Sequence, residues 1–192
     1  MRIRLQCFLI AVIYCVLGTS LTQSAVKSKK KREVYSATAV ATAGVAGGSV
    51  VQVTIGIDDY TTDEERLQLA QALIEGGSDA LRKAMNKMKK GRVSVVGRTG
   101  TEVNYIRAWP TANGRRIIMA TERPMTFFEV RRGTRSRDYE FGFIELRLDE
   151  KGRGSGVLIA AAKIKFIEDQ QKIEIEHYGI QPVRLTNVRR LN

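Results

Sequence analysis

Between Val51 and Ile57, apolar Val51, Val53, Ile55 and Ile57 alternate with Gln52, Thr54 and Gly56, the period-two pattern of a strand with one buried face. The alternation returns at Val93 and Val95, at Val103 and Tyr105, at Ile117 and Met119, and at Ile144, Leu146 and Leu148, which predicts a succession of short strands. Asn113–Gly114 is the strongest hairpin-turn signal among them. A later pair takes a definite register. If Glu168 to Gln171 turns the chain, Lys165 faces Glu174 and Lys163 faces Glu176 on one side, while Phe166 faces Ile173 and Ile164 faces Ile175 on the other. Val183 to Val188 reads as one more strand.

Helical periodicity follows the first strand. Thr62 and Glu65 have the spacing of a capping box, and Leu67, Ala70, Leu73 and Ile74 share one face of the helix it opens. Gly76 and Gly77 stop that helix, and Ser78 caps a second, whose apolar stripe is Leu81, Ala84, Met85 and Met88. Thr126 and Glu129 repeat the capping spacing and Gly133 supplies a stop, predicting a further helical turn docked by Phe127, Phe128 and Val130. The expected class is α+β: a mostly antiparallel sheet, open, curved or barrel-like, with an N-terminal αα hairpin packed on it.

Ahead of this domain, Arg2 and Arg4 precede an apolar run from Leu5 to Leu17, and small and polar residues lead to Ala25. That order is a secretory signal, and the run is shorter than the ~20 apolar residues a spanning helix needs. Cleavage near Ala25 and export to the periplasm or beyond are expected. The basic run Lys27, Lys29, Lys30, Lys31 and Arg32 resists translocation, so an uncleaved anchor over residues 5–21 is the alternative. Cys15 follows Val12, Ile13 and Tyr14, which is no lipobox. Residues 26–49, rich in Lys and then in Ala, Thr, Val and Gly, read as a tether, and residues 50–192 as a single α+β domain.

Both cysteines, Cys7 and Cys15, fall in the signal segment, so a mature chain has neither disulfide nor thiolate chemistry. The formal charge of +12 becomes +10 without Arg2 and Arg4. Such an excess suits an anionic polymer, a membrane surface or a protein partner, and export argues against nucleic acid. The densest basic cluster, Arg131, Arg132, Arg135 and Arg137 with Arg123 upstream, is the candidate anion site, because guanidinium forks pair bidentately with phosphate, sulfate and carboxylate. Asp58 and Asp59 end a strand ahead of a helix and are the one carboxylate pair on which a hydrolase could be built, with Glu102 and Asp138 as distant partners. His177, the sole histidine, stands opposite Ala162 in the register above and lacks a nucleophile motif. Gly152, Gly154 and Gly156 read as turn and bulge residues rather than a dinucleotide fingerprint. No Walker loop, zincin helix or nucleophile elbow is present, so neither catalytic residues, a cofactor nor a metal is expected.

The stretch Tyr60 to Arg66, the segment Lys87 to Val95 and the closing run GIQPVRLTNV together resemble an uncharacterised family of exported bacterial proteins. The resemblance implies export and an envelope location, and it carries no activity or site residues. The leading expectation is a non-enzymatic exported domain that binds through its basic surface. The alternatives are a small-molecule or lipid carrier with a cavity between sheet and helices, and a hydrolase using Asp58 and Asp59.

Overall fold

The structure, a computed structural model, describes residues 32–41, 50–125, 139–167, 172–177 and 182–192. Its strands are β1 (Glu33–Val40), β2 (Val50–Ile57), β3 (Gly91–Val95), β4 (Thr101–Val103), β5 (Tyr105–Thr111), β6 (Gly114–Thr121), β7 (Phe141–Asp149), β8 (Arg153–Ile167), β9 (Lys172–His177) and β10 (Val183–Arg190). One helical element, α1 (Asp63–Met85), joins β2 to β3.

All the strands form one antiparallel sheet in the order β4-β3-β2-β1-β10-β8-β7-β6-β5, with β9 hanging on the far half of β8. The two ends of this path, β4 and β5, are halves of a single run broken only at Asn104. The first half pairs with β3 and the second with β6, while the Asn104 amide donates to the Ala120 carbonyl at 2.9 Å. The sheet therefore curls into a nearly closed barrel in which β10 lies between β8 and β1 and so joins the end of the chain's strand order to its beginning. Beyond Ile106, which exchanges hydrogen bonds with Thr61 (2.8 and 3.0 Å), the outer edge of β5 has no strand beside it among the described residues.

Alternation decides what the barrel encloses. Tyr35, Ile55, Ile106, Ile117, Met119, Ile144, Leu146, Leu158 and Leu185 are fully buried and fill the interior, each contributing about 1.5–3 kcal/mol by leaving water. Glu33–Val40 belongs to this wall, where the sequence pattern suggested tether. Its inward residues are Tyr35, Ala37 and Ala39, whose small alanines blur the apolar alternation. On β8, Gly154 and Gly156 lie within the strand and flank the point where its pairing with β10 shifts register, between Leu185 and Val188. A Cβ at Gly154 would sit 1.9 Å from the Arg147 carbonyl oxygen, so glycine lets β8 pass against β7, and the turn itself belongs to Gly152 at φ +71°.

The expected αα hairpin is instead one element with a break at Gly77 (φ 64°, ψ −159°). No loop separates the halves, and the Ser78 hydroxyl donates to the Ile164 carbonyl at 2.7 Å instead of capping a second helix. Leu69, Leu73, Leu81 and Met85 from both halves bury in one cluster with Ala120, Phe141 and Ile164 on the outer face of the sheet. The buried face is thus turned from the one the sequence suggests, leaving Leu67 and Ile74 exposed. The capping box forms as predicted, with Thr62 and Glu65 exchanging hydrogen bonds at 2.9 and 3.2 Å. The hairpin between β5 and β6 forms as well, but its two-residue loop is Ala112–Asn113, with Gly114 (φ 143°) already paired to Thr111. In the β8–β9 ribbon the register is the predicted one, from Ala162 opposite His177 to Phe166 opposite Ile173. The helical turn expected from Thr126 to Gly133 lies outside the described residues.

Candidate functional site

Among the candidates from the sequence, Arg123 is exposed just after β6, while Arg131, Arg132, Arg135 and Arg137 lie outside the described residues. Asp58 and Asp59 follow β2, and each faces a cation: Asp58 meets Arg32 at 2.9 Å and Asp59 meets Lys90 at 3.5 Å. Glu102, named as a distant partner, is engaged by Arg92 and Lys89 at 3.3 and 3.5 Å. Asp138 lies outside the described residues. Lys90 is buried and held by Glu65 at 2.7 Å, which ties the start of α1 to the barrel.

The structure brings together a different set of arginines. Positions 116, 145, 147, 153, 155 and 189 alternate with interior residues and therefore face outward. Register then aligns them across the sheet: Trp109 on β5 opposes Arg116 on β6, Arg116 opposes Arg147 on β7, and Arg147 opposes Ser155 on β8. Two residues back along β8, Arg153 opposes Arg189 on β10, whose Nε donates to the Ser36 hydroxyl at 3.1 Å. Arg184, also outward on β10, is exposed. Arg147 and Arg153 are well exposed, at 76% and 63% of the side chain, and Trp109 retains 39% exposure, with the Arg107 guanidinium 6.0 Å from its ring centre.

Acidic residues neutralise this face incompletely. Glu145 serves both Arg116 (3.0 and 3.1 Å) and Arg147 (2.7 Å). Partial burial works against its charge, but these hydrogen bonds outweigh that and hold its carboxyl below the usual range. Asp149 accepts from the Arg153 amide at 2.8 Å and lies 3.5 Å from its guanidinium. Arg107 pairs with Asp63 at 2.9 Å. At the barrel rim a cavity of about 640 Å³ adjoins the face, lined by Asn113, Arg115, Arg116, Arg147, Arg153 and Ser155 among others.

The innermost of these, Arg115, points into the barrel mouth and is hydrogen-bonded to Glu33, Tyr35 and Tyr60. Tyr35 and Tyr60 both donate to Glu33, at 2.6 and 3.0 Å. Desolvation opposes the Glu33 charge, yet the guanidinium and hydroxyls outweigh it and keep the carboxyl below its ordinary range. Burial and the Glu33 charge push the Tyr60 hydroxyl up to about 12, and Tyr35 is raised for the same reasons. This cluster ties β1, β6 and the segment after β2 together at the mouth.

No protein-family model, no curated protein and no solved structure matches this chain. The site therefore has to be read from its own chemistry. Sequence reasoning passed over these arginines because they lie on four strands, never close enough along the chain to form a cluster. The available signal was parity: Arg116, Arg147 and Arg189 each occupy an outward position beside a buried aliphatic one, whereas Arg153 stands between two glycines. Among the described residues no group of three His, Cys, Asp or Glu side chains could hold a metal, and no helix is long and apolar enough to cross a membrane.

Proposed function

We propose that the chain is an exported, non-enzymatic domain that binds an anionic polymer through the outward arginines of β6, β7, β8 and β10. The observation that carries this reading is the cross-strand alignment of Arg116 with Arg147, continued by Arg153 and Arg189, with Glu145 alone serving two guanidiniums. Guanidiniums held on neighbouring strands offer a linear anion paired donors at fixed spacing. The excess of positive charge over the chain adds a long-range attraction that falls with salt.

Retention on a heparin column tests the reading, with two double variants of equal charge. Arg147→Glu with Arg153→Glu reverses the sheet face, and Lys83→Glu with Lys87→Glu reverses exposed positions at the end of α1. Loss of retention in the first pair alone supports the face as the site. Equal loss in both means that net charge acts without a site, and no retention of the unaltered protein even at low salt refutes the proposal. Export rests on the Met1–Ala25 signal pattern, and an intact mass beginning at Val26 in the exported fraction supports it. A full-length product in the membrane fraction supports anchoring through residues 5–21 instead.

A further inference from the structure

Resting on that reading, the geometry points to single-stranded nucleic acid as the polymer, its phosphates on Arg116, Arg147, Arg153 and Arg189 and one base stacked on Trp109. The shape of the face narrows the choice first. The row crosses β5, β6, β7, β8 and β10, so β1, β2, β3 and β4 complete the ring. At ~4.8 Å per strand it runs about 19 Å around a convex wall. A planar bilayer meets only a part of such an arc. Duplex DNA, with a persistence length of about 150 base pairs, bends around it only at high cost. A flexible single strand can follow it.

The side chains narrow it further. Every cation in the row is arginine, although lysines are plentiful elsewhere, at Lys83, Lys87 and Lys89 of the helix and its exit. Arginine differs from lysine in binding phosphate oxygens bidentately and in stacking its plane on bases. At one end of the row stands Trp109, partly exposed, directly across from Arg116 and flanked by Arg107. A flat aromatic surface next to phosphate-binding cations is the arrangement that single-strand binders use, because every base has a face to stack while the backbone is held by charge. Export, which argues against the nucleic acid of the cytoplasm as the partner, leaves strands present outside it, and the recognition chemistry is the same there.

Trp109 is the sole tryptophan of the chain, so its fluorescence reports on the site without labelling the protein. The test titrates the purified protein with oligo(dT), with inorganic polyphosphate of equal phosphate count, and with a heparin oligosaccharide of equal charge. The expected result is quenching by oligo(dT) and affinity at least about tenfold above that for polyphosphate. With four phosphate contacts on a single strand, log K should fall against log salt with a slope of about −3, a roughly 50-fold loss between 50 and 200 mM. Trp109→Ala should weaken binding of a dye-labelled oligo(dT) by about 5- to 150-fold and leave polyphosphate unchanged, while Trp109→Phe retains most of the affinity. Circular dichroism that matches the unaltered protein checks that the variants fold.

Equal affinity for oligo(dT) and polyphosphate without quenching overturns the nucleic-acid assignment and leaves the anionic-polymer reading standing. Tighter, quenching binding of the heparin oligosaccharide overturns it in favour of an acidic polysaccharide. Oligo(dT) affinity unaffected by Trp109→Ala overturns the stacking contact. Failure of all three ligands at low salt brings down both readings together.

Discussion

Replacing Arg115 with methionine would leave the Glu33 carboxylate in the barrel mouth without its cation, although the Tyr35 and Tyr60 hydroxyls would still donate to it. Stripping one partner from a fully buried pair costs about 3–5 kcal/mol. Here the Arg115 and Glu33 side chains keep 28% and 14% of their exposure and the tyrosines remain, so the expected loss is about 2 kcal/mol. For a chain of this size that corresponds to a fall in Tm of about 4–8 °C. Urea denaturation at pH 7 measures the free energy, and a companion Glu33→Gln variant supplies the pH test. The folded carboxyl of Glu33 is held below its ordinary range. Its contribution is therefore complete above the unfolded value of about 4.3 and is lost as pH falls through the depressed folded value. The stability gap between the unaltered protein and Glu33→Gln should accordingly narrow as the pH drops below about 4. A loss under about 0.5 kcal/mol for Arg115→Met, or a Glu33→Gln gap that stays constant with pH, would refute the view that this pair holds the mouth.

Three further substitutions probe the architecture by the same denaturation assay. Leu73→Ala should cost about 2–5 kcal/mol and Ile74→Ala under about 0.5, because the first is buried on the sheet and the second is exposed; similar losses would return the buried face to its sequence-expected side. Gly154→Ala should destabilise by about 1–3 kcal/mol, since its Cβ meets a backbone carbonyl of β7 that cannot swing aside, and a neutral result would mean that the two strands are less tightly apposed. Thr62→Ala should lose about 1 kcal/mol with the capping box, whereas Thr62→Ser should keep most of it.

What could be read from the sequence was local matching. The β8–β9 register came out correctly because Lys165 with Glu174 and Phe166 with Ile173 agree only in one alignment, so charge and hydrophobicity point the same way. The wall formed by Glu33–Val40 escaped because its interior positions are mostly alanine, whose small side chain fits a crowded barrel but carries little hydrophobic signal. The helix face was misjudged because Leu67, Leu69, Leu73 and Ile74 fit more than one stripe, and docking on Phe141 and Ile164 selects among them. The arginine face is a product of register across β6, β7, β8 and β10, hence of long-range pairing that a linear reading of clusters does not capture. Even so, Arg116, Arg147 and Arg189 were findable in principle as outward residues beside Ile117, Leu146 and Val188.

The return of β10 to β1 has a consequence for how the protein comes into being. Residues 33–40, the first strand, take one of their two partners from residues 183–190, almost at the other terminus. The barrel cannot close before residues 183–190 are available, and pairing over such a separation makes for slow folding. A chain that stays pliable until β10 is available is also a chain that can still be threaded through a narrow pore, which is compatible with the proposed export.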